Sequence, residues 1–399
     1  MIISLRPSTI LKPSVVSMAA MLASLAAWLF PSFGVLRKGF ESPARLSLDA
    51  FVVLACWYLL IFLCFSLGEK VGSFLVPPRN RATAISLDLN GNLIYYAFTI
   101  LGAIGITTTL VRVFQALSVQ EAILAITLGQ ANALKDALYE DYSIGLVSLR
   151  YLILYSASLA LYRIIRFRSF TPTNLFNVLM LGVASALLSS RLIFIATMLT
   201  LIFLLSFGKS STRISVPKLL TLATLLFLLL AVLNYSRNKG YYDENNLSFG
   251  LAGVSEILAY LGSPFQAEIG AAGVTDDLVA GGDQTYRNYV EEEENLNTNS
   301  AFIHLHEQFG YSTWPYMAVM CLTMGFVFQA LASLGKTVFL LPCGAILYAS
   351  AELWRLDLFH QGLFIVWFVF GVGLPASIYA LRSLFAFASD SRETDRFGW

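Results

Sequence analysis

The sequence predicts an all-α polytopic membrane protein. Of its 399 residues 57% are hydrophobic and only 13% are charged, and several nearly uncharged runs, such as Leu219–Leu233 and Gly362–Tyr379, approach the length of a membrane-crossing helix. An ordinary soluble domain carries about 25% charged residues. A helix needs roughly 20 apolar residues to cross a hydrocarbon layer of about 30 Å. Helix is the expected form because a segment in lipid must satisfy its own backbone hydrogen bonds. The net charge of +1 gives no bulk electrostatic reason to expect a nucleic-acid partner.

Apolar runs between charged breaks give about ten spans, near 14–30, 50–67, 92–115, 143–162, 174–190, 191–207, 217–234, 313–334, 337–353 and 362–384. The run Ser14–Phe30 follows Arg6 and Lys12 as a secretion signal would. It is long for such a signal and many spans follow it, so an uncleaved first helix is expected. Cys56, Cys64, Cys321 and Cys343 all lie in apolar segments without CxxC spacing and read as small packing residues.

The connectors holding Arg163, Arg166 and Arg168, and Lys209, Arg213 and Lys218, are short, basic and free of acid. Positive charge of this kind marks the cytoplasmic side. That orientation also puts both termini, the Lys70/Arg79/Arg81 loop and Lys336 inside; only Arg37, Lys38 and Arg45 oppose it. Two segments then lie outside. Gln115–Tyr142 is too interrupted by polar residues to span and reads as an interfacial amphipathic helix. The second, 235–312, is a large acidic loop within a single integral membrane domain, 1–399. Inside that loop Leu251–Ala267 is apolar enough to lie on or dip into the membrane, and Gly281–Asn299 reads as polar loop.

Ionisable residues near membrane depth are costly, so their positions carry information. Arg191 sits in the tight break LLSSRLIF, Arg237 and Lys239 end a span in LNYSRNKG, and Arg355 lies with Asp357 and His360 in the turn LWRLDLFHQG. These four cations share the outer side. Each can snorkel as an anchor; as a group they suit a phosphate or pyrophosphate, which arginine binds with two parallel N–H bonds. A second constellation is NTNSAFIHLHEQFGY. His304 and His306 are too close for helical zinc spacing and Glu307 lacks an HExxH context, so no metal is expected. Either histidine, with Glu307 or Glu256 in reserve, can act as a general base; equally, they can be polar residues at a helix entry. The run Glu291–Glu294 reads as a solvated loop, with calcium binding as a minor alternative. The absence of a P-loop or GxGxxG argues against nucleotide use, and no cofactor is expected.

In three places these residues resemble the bacterial O-antigen and oligosaccharide repeat-unit polymerases of the Wzy type. The arginine of SSRLIF is similar to one that begins a mid-chain span in that family, and YLGSPFQA is similar to its tyrosine-to-proline segment in the large loop. NTNSAFIHLHEQFGY is similar to its segment before a late span, with Asn297, Ser300, Phe302, Phe309 and Gly310 at the matching positions and Gln308 where the family carries an acid. The likeness covers roughly Leu188 to Gly325. It implies a glycosyltransferase of C-type architecture with one large periplasmic loop, metal-independent and inverting, at the outer face of the bacterial inner membrane. The donor would be a growing glycan on undecaprenyl pyrophosphate and the acceptor a single lipid-linked repeat unit. Pyrophosphate would fall to Arg191, Arg237, Lys239 and Arg355, the proton to His304, His306, Glu307 or Glu256, and the acceptor glycan to Asn297, Asn299, Ser300 and His360. A chain-length regulator and a flippase would be partners beside the membrane lipids. The alternatives are an O-antigen ligase of the same fold, and a transporter or flippase of lipid-linked sugars, which would show repeats and broken helices near the midplane.

This topology predicts that a cysteine placed at Gly281 reacts with an impermeant thiol reagent in cells with a permeabilised outer membrane, whereas one at Ser210 is protected. The opposite pattern would invert the orientation.

Overall fold

The structure, a computed structural model, describes residues 10–32, 47–76, 89–116, 145–187, 191–207, 249–275 and 300–382, together with 4–5, 214–215 and a few isolated positions. The described residues are almost entirely helical. In chain order the helices are α1 (Pro13–Ser32), α2 (Leu48–Leu75), α3 (Leu89–Ala116), α4 (Ile153–Phe167), α5 (Pro172–Leu187), α6 (Arg191–Ser206), α7 (Phe249–Ala272), α8 (Ala301–Phe309), α9 (Thr313–Leu334), α10 (Thr337–Glu352) and α11 (Gly362–Phe368). One antiparallel strand pair, β1 (Ser4–Leu5) with β2 (Ile214–Ser215), is the exception.

Among the described residues four helices are long and apolar enough to cross a membrane: Leu48–Leu75, Gly91–Gln115, Ala301–Leu334 and Gly362–Arg382. Pro13–Leu29, Leu192–Ser206 and Thr337–Glu352 are shorter apolar helices. The expected spans at 313–334 and 337–353 coincide with α9 and α10, and those at 14–30, 50–67, 92–115, 174–190 and 191–207 fall on α1, α2, α3, α5 and α6. The expected span at 217–234 and nearly all of the interfacial segment Gln115–Tyr142 lie outside the described residues. The span expected at 143–162 differs in form: Leu146–Leu152 is a 3-10 helix that leads into α4. This segment packs on α3 at backbone distance, since a β-carbon on Gly105 would lie 1.9 Å from the Arg150 nitrogen.

α2 shows how a helix that is apolar all round divides its faces. Leu54, Trp57, Ile61, Phe65, Gly68 and Gly72 are buried at spacings of three and four, while Val52, Leu59, Leu63, Leu67 and Val71 form an exposed apolar stripe. A soluble helix would place polar residues there; an apolar outer face suits lipid. Ser47 caps the helix by accepting the Ala50 N–H at 3.0 Å.

The inner face of α2 packs on α9 at backbone distance. A β-carbon on Gly68 would stand 2.1 Å from the Leu322 carbonyl oxygen, and one on Gly325 would stand 2.6 Å from that of Phe65. Small residues at such crossings let the backbones gain van der Waals contact that lipid-facing helices otherwise lack. On the other side of α9, α10 packs against α6, where Gly344 faces Thr200, and α7 lies against α1 and α2. After α11 the chain winds as a π-helix over Val369–Gly373. The Trp367 carbonyl there receives the Tyr155 hydroxyl at 2.7 Å, which ties α11 to α4.

The crossing predicts that Gly68→Ala lowers the thermal midpoint of the detergent-purified protein by several degrees, since even one methyl overpacks a backbone contact and such overpacking costs about 1–3 kcal/mol. Gly182→Ala on α5, where a β-carbon meets nothing within 4 Å, should leave the midpoint unchanged or slightly higher. Equal midpoints for both variants and the parent would refute the close crossing.

Candidate functional site

The helix α7, which falls within the segment expected to form the large loop, packs into the bundle against α1 and α2. Ser24 on α1 donates to the Leu261 carbonyl at 2.7 Å, and Trp28 Nε1 donates to Gln266 Oε1 at 2.6 Å. Pro264 falls inside α7. One turn further on, Glu268 enters the interior with 1% exposure. Its carboxyl takes a hydrogen bond from the Tyr58 hydroxyl on α2 and bonds to Ser300. Ser300 is also the N-cap of α8, accepting the Ile303 N–H at 3.1 Å. One carboxyl thus joins α2, α7 and α8. Among the described residues no cation pairs with it, and burial pushes its pKa up to about 8, against the opposing hydrogen bonds from Tyr58 and Ser300. At neutral pH it is therefore mostly a neutral acid. Its Oε1 has no hydrogen-bond partner.

One turn into α8, His306 is fully buried. Its Nδ1 lies 2.7 Å from the Phe302 carbonyl oxygen. A carbonyl can only accept, so Nδ1 carries the hydrogen, and in the neutral ring Nε2 presents a lone pair. That Nε2 has no partner, and neither has the indole nitrogen of Trp57, whose ring lies 5.9 Å from the imidazole. Phe302 and Trp314 complete an aromatic surround, with ring centroids 4.3 Å and 6.1 Å from that of His306. Three buried polar atoms without partners, on Trp57, Glu268 and His306, thus occur where α2, α7 and α8 meet; such atoms are uncommon in folded interiors and mark places to look for a ligand.

Beside this junction, the turn after α10 carries the charged residues. Glu352 Oε2 accepts from Arg355 Nε at 3.1 Å and Nη2 at 2.8 Å, and Arg355 Nη1 donates to the Tyr260 hydroxyl on α7. Burial acts to lower the guanidinium pKa, but Glu352 and the Tyr260 hydroxyl outweigh it and the net shift is upward. Of the five N–H groups of an arginine, three are engaged in this way. Asp357, fully buried, accepts the Phe359 N–H at 2.9 Å, the Tyr316 hydroxyl at 3.1 Å and His360 Nδ1 at 3.0 Å. The bond to Asp357 raises the His360 pKa against the effect of burial. His304 stacks on His360 with centroids 5.7 Å apart.

The expected site residues therefore divide. His304, His306, Ser300, Arg355 and His360 gather at one end of the bundle, and Glu307 is part-buried on the same helix as His306. Arg191 opens α6, whose other end at Phe207 lies with Lys12 and Gly335 at the opposite end of the bundle. The α6 backbone thus carries Arg191 toward the Arg355 end, and its side chain lies outside the described residues, as does that of Glu256. Arg237, Lys239, Asn297 and Asn299 lie outside them altogether. Sequence reasoning missed Glu268, Tyr58, Trp57 and Glu352. Glu268 left a trace: it is the one carboxylate in the apolar stretch from Ile257 to Ala272. Among the described residues no group of three or more His, Cys, Asp or Glu could hold a metal ion. Comparison with protein families, with characterised proteins and with solved structures finds no match to the chain.

The Glu268 environment predicts a pH dependence. A carboxyl whose pKa is about 8 when folded and about 4.3 when unfolded contributes stability that is full below the unfolded value and is lost as pH rises through the folded one. The thermal midpoint of the parent should therefore fall between about pH 5 and pH 8, and Glu268→Gln, which cannot ionise, should fall less, gaining at least about 4 °C on the parent over that range. Parallel curves would mean that Glu268 is ionised in the folded protein.

Proposed function

We propose that the protein is a membrane glycosyltransferase of ten-span, C-type architecture that polymerises oligosaccharide repeat units carried on undecaprenyl pyrophosphate at the periplasmic face of the bacterial inner membrane. The observation that carries this reading is the meeting of the two segments that resemble the repeat-unit polymerases: Tyr260 and Glu268, in and just after YLGSPFQA, touch Arg355 and Ser300, and Ser300 opens the helix of His304 and His306. Segments far apart in the chain thus bring a cation, a neutral acid and a lone-pair imidazole to the same end of the bundle.

In the proposed reaction the acceptor hydroxyl of a lipid-linked repeat attacks the anomeric carbon of the growing chain. The new glycosidic bond forms as the bond to pyrophosphate breaks, and the configuration inverts. The hydroxyl proton goes to His306 Nε2, whose lone pair is set by the bond from Nδ1 to Phe302. His304, stacked on His360, is the weaker candidate base. The leaving undecaprenyl pyrophosphate takes the electron pair, and Arg355, with two N–H groups beyond those engaged by Glu352 and Tyr260, meets its charge together with Arg191, Arg237 and Lys239. Charge-assisted bonds to a leaving group act where charge develops, which is where they lower a barrier most.

The test is polymerisation of a purified lipid-linked repeat by the purified protein. Arg355→Ala should lower the rate by about two to three powers of ten, from the loss of about 3–4 kcal/mol of transition-state stabilisation, and Arg355→Lys should be nearly as poor because an ammonium lacks the planar fork. His306→Ala should cost about two to four powers of ten, whereas changing Glu291 through Glu294 together to Gln should leave the rate within a few-fold, as suits a solvated loop. A parent protein that does not lengthen the repeat, or parent-like rates from Arg355→Ala and His306→Ala, would sink the proposal.

A further inference from the structure

At the end of the bundle away from Arg355, the start of α1, the second half of α2 and the ends of α6 and α9 enclose a cavity of about 420 Å³. Phe62, Phe203, Phe207 and Phe328 form an aromatic part of its wall, beside serines and Gln329, and its lining also carries Lys12 and Lys70. Between the lysines stands Glu69, 5% exposed, whose carboxylate accepts the Ser14 N–H at 3.0 Å and the Ser14 hydroxyl at 3.1 Å. Lys12 Nζ lies 3.8 Å from the same carboxylate. The carboxylate is thus occupied from within the protein, and Lys70, exposed and without an ion-pair partner among the described residues, supplies the uncompensated charge.

The depth of this lysine-bearing rim is set by the helix. Lys70 comes 22 residues after Leu48, the first residue of α2, which is about 33 Å along a helix rising 1.5 Å per residue. A hydrocarbon layer is about 30 Å thick, so the rim falls in the headgroup layer and the aromatic wall below it falls at the level of the first acyl methylenes. We propose that this cavity binds the phosphate headgroup of an anionic membrane lipid, with Lys70 and Lys12 on the phosphate and the phenylalanines against the start of the chains. A free anion would leave the aromatic wall without a partner, and a zwitterionic headgroup would bring its own cation to a rim that is already positive. The inference is independent of the proposed transferase activity, which sits at the other end of the bundle.

The experiment is native mass spectrometry of the full-length purified protein equilibrated with equal amounts of phosphatidylglycerol and phosphatidylcholine. Phosphatidylglycerol adducts should predominate. Lys70→Gln should lower their affinity about fivefold, the effect of one lysine at an anionic headgroup layer, and Lys12→Gln should lower it by a similar or smaller factor. Glu69→Gln, which keeps an acceptor for Ser14 but removes the negative charge, should raise it. Lys336→Gln is the control at the same end, since Lys336 does not line the cavity and its Nζ lies over the Tyr379 ring at 3.7 Å, and it should lower the affinity less than Lys70→Gln does. Lys70 is exposed, so its variant is expected to fold, and an unchanged melting curve checks this. Equal retention of the two lipids would overturn the proposal, as would equal losses from Lys336→Gln and Lys70→Gln, which would mean diffuse surface attraction. Displacement of the phosphatidylglycerol adduct by inorganic phosphate would overturn it too, assigning the rim to a free anion.

Discussion

Between α2 and α9 the two backbones approach so closely at Gly68, Gly72 and Gly325 that a single added methyl on any of the three would meet a backbone or β-carbon atom within 3 Å. In lipid, where burying an apolar side chain against another gains little over leaving it among acyl chains, such contact is what holds helices together. The candidate site depends on it. The α2–α9 pair sets Trp57 against Trp314 with ring centroids 5.5 Å apart, and α8, joined to α9 by a short turn at Gly310–Ser312, is thereby held beside α2. From Trp57 the next residue, Tyr58, reaches Glu268 and so fixes α7.

Glu268 illustrates how a membrane bundle can use a carboxyl that pairs with no cation among the described residues. An ionised carboxylate so deeply buried would be very costly without a counter-charge. Kept neutral, it becomes a short polar strut with hydrogen-bonding capacity on both oxygens, one used by Tyr58. By contrast, Arg355 keeps its charge because Glu352 lies one turn back on the same helical end. Arg355 meets α7 at Tyr260 and Glu268 meets the start of α8 at Ser300, so this end of the bundle carries one charged and one uncharged polar group.

The bundle is also asymmetric from end to end. One end gathers Arg355, Glu352, Asp357, His360 and the His306 surround; the other gathers Lys12, Lys70 and the buried Glu69. Lysines at the second end have flexible stems, while the arginine at the first end is held by Glu352 and Tyr260 in one orientation.

How much of this was legible in the sequence follows from range. The helical class and the boundaries of α9 and α10 could be read directly, because hydropathy and helix caps act over a few residues: Ser300 and Gly310 bracket α8, and Gly335 ends α9 with φ 69°. His304, His306 and Arg355 could be singled out because an ionisable residue among apolar neighbours stands out locally. Glu268 with Tyr58, His304 on His360 and Tyr260 on Arg355 could not, since each pair joins residues from 56 to 210 positions apart. Whether Glu268 is charged was likewise decided only by the tertiary structure, whereas the nitrogen of His306 that carries its proton is set within its own helix. Both depend on what surrounds the group: a carbonyl one turn earlier in its own helix for the imidazole, and, for the carboxyl, two neighbouring helices that bring it the hydroxyls of Tyr58 and Ser300, with no cation among the described residues.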